Sequence, residues 1–214
     1  MKRLFKLLFA VLVSSLVAPA TGFAAEPQVG KEFKMISPAL ASPKDKIEVI
    51  EFFSYGCNHC SDFHPLITQW AAKLPKDVTF RRVPVSFNRP EWARLSKIYF
   101  ALEATGDLAK LDAAVFIAIH EQRVQFKTDD AVIAWATSKG ADAKKFGEAF
   151  SGFSMQATVQ RADQDASAAR ISGVPSLAVD GRYLINNDSA SSYEDLLRIT
   201  DSVVAKVRQE RKGK

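Results

Sequence analysis

The run Ile47-Glu48-Val49-Ile50-Glu51-Phe52-Phe53 limits what this chain can become more than any other stretch. It is rich in β-branched and aromatic residues and close to continuously apolar. That suits a strand covered on both faces, which calls for a parallel sheet with helices over it. Ser42-Pro43-Lys44-Asp45 precedes the run as a turn, and an amphipathic helical pattern begins from Cys57. Phe63, Leu66, Ile67, Trp70, Ala71 and Leu74 lie on one face of that helix at spacings of three and four. Pro65 removes one backbone donor inside it and predicts a kink one turn beyond Cys60. Pro75-Lys76-Asp77 stops the pattern, and Val78 to Val85 reads as a second parallel strand, which completes a strand–helix–strand unit.

From Asn88 the pattern is helical only. A helix starts at Pro90 and ends at Gly106, another covers Leu108 to Gln122, a third is capped by Thr128 and stops at Gly140, and a short one spans Asp142 to Phe150. No constellation assignable to chemistry stands out in these helices, and Trp92, Trp135, Phe116 and Phe126 read as core. Met155 to Ile171 forms a longer helix leading to Gly173. Strands return with Ser176 to Val179 and Arg182 to Ile185 around Asp180-Gly181, a hairpin signature. Ser191 or Ser192, with Glu194 or Asp195 three residues on, caps a closing helix that runs to about Arg208. Glu32 to Ile36 is a short additional strand.

The chain has two cysteines, Cys57 and Cys60. At the first turn of a helix they share a face and lie close enough to join without backbone movement. A crosslink closing a loop of about four residues restrains the unfolded chain very little, so a structural staple is a weak reading. A metal site needs further ligands, and His59, His64 and His120 are all the chain offers. Reversible redox chemistry fits best. The unpaired amides and positive dipole of the helix start stabilise a thiolate on Cys57, and a protonated His59 adds a charge. Cys60, one turn in, is expected to be less accessible and less acidic. The alternative for His59 is an exposed loop residue, and His64 and His120 default to structural or surface roles.

Cys57-Asn58-His59-Cys60, preceded by Glu51-Phe52-Phe53-Ser54 and followed far downstream by Gly173-Val174-Pro175, resembles the DsbA family of thioredoxin-fold oxidoreductases over nearly the whole mature chain. Asn58 stands where the best-known members carry proline. The resemblance implies a thioredoxin fold, α/β in class, interrupted by an all-helical insertion. Residues 25–87 and 154–214 form the thioredoxin-like part and 88–153 the insertion. It implies a cis peptide before Pro175, with the backbone of Val174 free to pair with an extended substrate. It also tilts Glu51, which the sequence leaves open between a solvated and a buried carboxylate, toward burial, with Arg82 as its partner; an exposed strand arginine is the alternative. Asn58, Val174, Pro175, Glu51 and Arg82 are thus expected to support the catalytic Cys57, Cys60 and His59.

Lys2, Arg3 and Lys6, an apolar stretch from Leu7 to Val17 and small residues up to Ala25 read as a secretory signal over residues 1–24, cleaved after Ala24. Its removal takes three of the 29 basic residues and none of the 24 acidic ones, which leaves a net charge of +2. No basic stripe interleaved with aromatics points to nucleic acid, and the basic tail Lys206 to Lys214 reads as a solvated helix end. Export places the cysteine pair where disulfides persist. The expected activity is donation of the Cys57–Cys60 disulfide, through a mixed disulfide at Cys57, to exported proteins with free cysteines. The resemblance adds reoxidation by a quinone-linked membrane partner of the DsbB type, and the protein is expected to be a monomer needing no cofactor or metal. A disulfide isomerase or reductase, or a periplasmic metal carrier using Cys57, Cys60 and a histidine, are the alternatives.

Overall fold

The computed structural model describes residues 27–213, so the expected secretory signal over residues 1–24 lies outside the described residues. Five strands form one mixed sheet: β1 (Lys34–Met35), β2 (Ile47–Phe53), β3 (Val78–Pro84), β4 (Ser176–Val179) and β5 (Tyr183–Asn186), in the order β1-β5-β4-β2-β3. β2 pairs parallel with β3 and antiparallel with β4, and every one of its residues is buried, including both glutamates. Its alternation sorts the core into two layers. Ile47 and Val49 pack with α1 (Asn58–Ala71) and α7 (Tyr193–Lys212), while Ile50 and Phe52 face Ala162 and Ala166 of α6 (Met155–Ala168). Glu51 belongs by this alternation to the α1 face, and so does Arg82, which follows Val78 and Phe80 on β3. The parallel register sets Glu51 directly beside Arg82.

Between β3 and α6 the chain forms α2 (Pro90–Thr105), α3 (Leu108–His120), α4 (Asp129–Ser138) and α5 (Ala143–Ser151). Their ends follow the expected chemistry. Pro90 opens α2, Gly106 closes it at φ +78°, and the Thr128 hydroxyl accepts from the amide of Ala131. The core of these helices is continuous with Phe53, Tyr55 and Cys60, so the insertion closes over the end of β2 that carries the cysteines.

α1 runs without interruption through Pro65. α7 buries Leu196, Ile199, Val203, Val204 and Val207 against the sheet, each worth roughly 1.5–3 kcal/mol relative to exposure. Ser192 accepts from the amide of Asp195, whose carboxylate in turn accepts from Ser191. The basic end of α7 is not simply solvated. Arg208 pairs with Asp77 at 2.7 Å, and Arg211 donates to the carbonyls of Pro43 and Lys44 and to the buried carboxylate of Asp180. In the β4–β5 hairpin Asp180 and Gly181 both adopt positive φ, as a type I′ turn requires.

Candidate active site

The loop Ser54-Tyr55-Gly56 carries the chain from buried β2 to Cys57, which occupies the N-cap position of α1. The half-buried Cys57 side chain lies at the exposed end, beside the exposed Asn58 and His59, whereas Cys60 is buried within the core. Both are free thiols. The Cys57 thiol is lowered to about 6. A hydrogen bond from the Cys60 thiol contributes most, burial opposes it, and the amides of Cys60 and His59 and then the charge of His59 add to the lowering. The helix start therefore acts mainly through donors that α1 itself supplies. His59 acts less than the sequence suggests, and its Nδ1 lies 3.2 Å from the Tyr193 hydroxyl. The Cys60 thiol is pushed well up by burial first, then by Cys57 and by the charge of Glu51.

Val174 and Pro175 lie across from Cys57. Their peptide bond is cis, as the resemblance implies, and the Val174 carbonyl accepts from the Cys57 thiol at 3.4 Å. Trp92 of α2 stands against Gly56, where a Cβ would meet its indole Nε1 at 2.8 Å. The sequence reads Trp92 as core; it is half-buried and walls the loop that presents Cys57.

Glu51 is fully buried and accepts from Arg82 Nε at 2.6 Å, which places both where the resemblance put them. The guanidinium also stacks on Phe53 and donates through Nη1 to Asp112 at 2.6 Å. Asp112, on α3, corrects the reading that the insertion holds nothing of chemical interest. Its carboxylate also accepts from the Tyr55 hydroxyl at 2.5 Å and pairs with His64 Nε2 at 2.7 Å. Of the structural or surface roles expected for His64 and His120, the structure places both in the structural one, for His120 Nε2 lies 2.8 Å from the carbonyl of Tyr55. Burial pushes Glu51 up against the opposing pull of Arg82. Asp112 is held low, because His64, Arg82 and Tyr55 together outweigh its burial. A lone aspartate in a helical pattern carries no signal of this role; only the packing of α3 against α1 and α2, which brings Asp112 to Arg82, reveals it.

A dithiol at a helix start, one sulfur acidic and reachable and the other buried above a paired carboxylate, defines a thiol–disulfide exchange site on a thioredoxin fold with a helical insertion. The chain belongs to the DSBA-like thioredoxin domain family, whose pattern matches residues 48–198. It is 37% identical over 202 residues to the thiol:disulfide interchange protein DsbA of Bordetella parapertussis, with 94% of each chain covered. It is 33% identical over 204 residues to the protein of that name from Pseudomonas aeruginosa, covering 92% of this chain and 96% of the other. Among solved structures, Pseudomonas aeruginosa DsbA superposes with a TM-score of 0.83 at 33% identity, over 88% of this chain and 98% of that one. The oxidoreductase DsbA from Xylella fastidiosa gives 0.79 at 32% identity, over 86% and 99%.

Proposed function

We propose that this disulfide-donating oxidoreductase reacts through Cys57. A thiolate of the substrate attacks the Cys57 sulfur of the Cys57–Cys60 disulfide, and Cys60 leaves with the bonding electrons. A second substrate thiolate then attacks its partner sulfur in the mixed disulfide and releases Cys57 as a thiolate. The substrate loses two electrons and the protein gains them. The observation that carries this reading is the inequality of the two thiols: Cys57 is the better leaving group and the reachable one, Cys60 the buried one. Asn58 and His59 form the exposed lip of the site, and Val174 offers its backbone beside Cys57 for an extended substrate to pair with. Pro175 fixes that backbone.

The substrates are exported proteins with free cysteines, and the site of action is the periplasm. Supporting this are the signal-like residues 1–24 and a lone cysteine pair of the kind that persists oxidised outside the cytosol. Among the described residues no helix is long and apolar enough to cross a membrane. Turnover requires an oxidant for the reduced pair, for which a quinone-linked membrane partner of the DsbB type is suited. The protein is read as a monomer, and residues 88–153 act as an insertion that covers the end of a redox unit formed by 25–87 and 154–214.

Trapping distinguishes the two sulfurs. In Cys60→Ser the mixed disulfide at Cys57 has no internal thiol to resolve it, so covalent complexes accumulate on non-reducing gels and disappear with reductant. Cys57→Ser traps few. Equal trapping by the two variants, or trapping by Cys57→Ser alone, overturns the assignment.

A further inference from the structure

One guanidinium serves two carboxylates here, the fully buried Glu51 and the partly buried Asp112, and they share it unequally. Asp112 gathers three partners, Arg82 Nη1, the Tyr55 hydroxyl and His64 Nε2, at 2.5–2.7 Å. Glu51 has Arg82 Nε alone, and among the described residues its Oε1 is buried without a partner, as is Arg82 Nη2. A carboxylate with three donors is far easier to keep ionised in a protein interior than one with a single donor. A bidentate Arg82–Glu51 pair would satisfy both orphaned atoms and fix the charge on Glu51. The pull of Asp112 on Nη1 competes with that arrangement.

We propose that Asp112 is a positioning residue for the exchange reaction: it serves as the standing counter-ion of Arg82, and so leaves Glu51 free to hold the proton that passes to and from Cys60. The proposal rests on the reading of Cys57 as the attacked sulfur. When the Cys57–Cys60 bond breaks, Cys60 leaves as a thiolate in a dry core and takes the proton of the Glu51 carboxyl. The two substrate thiol protons go to solvent, and Glu51 remains a carboxylate in the reduced protein. On reoxidation Cys60 returns its proton to the Glu51 carboxylate as it attacks. The helical insertion thus takes part in the chemistry from beneath, with no contact to either sulfur required of it.

Several titratable or charged groups face this cluster. They are Glu51 on β2, Arg82 on β3, Tyr55 on the loop, Cys57, Cys60 and His64 on α1, Tyr99 and Glu103 on α2, and Asp112 and His120 on α3. The test must isolate one of them. The rate at which a small monothiol reduces the oxidised protein, corrected for the reagent's own thiolate fraction, falls with pH as Glu51 loses its proton. Asp112→Asn removes the competitor for Arg82, so this fall moves to lower pH by about one unit, near tenfold in rate on its slope. Asp112→Glu restores the parent profile. In a Glu51→Gln background Asp112→Asn produces no shift. A profile unmoved by Asp112→Asn, or a shift that persists without Glu51, overturns the proposal, whereas a merely structural role changes the melting temperature and leaves the profile in place. Carboxyl-carbon NMR of the unchanged protein checks the same point without a variant: on acidification Glu51 takes its proton well before Asp112. The reverse order overturns the proposal. Trapping by Cys60→Ser is independent of all these results, so a failure here is distinguishable from an error about Cys57.

Discussion

Cys57 draws its acidity from several donors in a definite order, and that order can be measured. The Cys60 thiol contributes most, the two amides next and the exposed His59 least. A hydrogen bond to a charged group is worth about 1.5–3 kcal/mol, or roughly one to two pH units. Cys60→Ala should therefore raise the midpoint of the Cys57 thiolate absorbance by about that much, and His59→Ala by a few tenths of a unit, as expected of an exposed charge. A larger effect of His59→Ala would reverse the ranking. The same acidity governs stability. Because the folded thiol is depressed to about 6, the anion stabilises the reduced protein fully above the unfolded value near 8.5, and the stabilisation is lost as pH falls through 6. Glu51, raised by burial, works in the opposite sense, stabilising at low pH and less as pH rises, but it is present in both redox forms. The difference between the reduced and oxidised denaturation midpoints should thus favour the reduced form near pH 8 and shrink toward pH 5. A difference independent of pH contradicts the mechanism.

Elements joined at tight turns show which parts of this architecture the sequence announces. The all-buried β2, the α1 stripe, the caps at Thr128 and Ser192 and the Asp180-Gly181 hairpin are local patterns, readable because each side chain acts within a few residues of itself. Asp112, Trp92 and Arg211 were not readable. Their partners lie on other elements, and nothing in an isolated helix tells a core aspartate or tryptophan from a surface one. Two glycines separate these cases experimentally. At Gly56 an added Cβ meets side chains, Trp92 Nε1 at 2.8 Å and Leu95 Cδ1 at 3.2 Å. Gly56→Ala should cost about 1–3 kcal/mol in urea unfolding and be partly rescued by Trp92→Leu. At Gly181 the added Cβ meets backbone, the Leu40 carbonyl oxygen, at a φ of +63°. Gly181→Ala should cost more than Gly56→Ala, and no single side-chain truncation should recover it. Equal losses at the two positions would mean the Leu40 segment yields as readily as an indole.

Across the whole molecule the Glu51–Arg82–Asp112 cluster joins sheet to insertion through buried charge, while pairs such as Arg208–Asp77 join surfaces in water. Arg82→Met takes from buried Glu51 its single partner and from Asp112 one of three, and should cost about 3–5 kcal/mol, little changed by salt. Arg208→Gln should cost no more than about 1 kcal/mol and less at high ionic strength. Unfolding followed at both salt concentrations decides this, and a small, salt-sensitive loss in Arg82→Met would show the cluster to be solvated. With the insertion sharing the core of the cysteine loop, sheet and helices should melt in a single transition. The carbonyl that accepts from Cys57 lies 117 residues further along the chain. A polypeptide made from its amino end thus emerges with its thiols long before Val174 exists to sit beside them, and β4, wedged between β2 and β5, is added last but one. The nascent enzyme is a client before it is a catalyst, and having no third cysteine, it has no wrong partner of its own to choose.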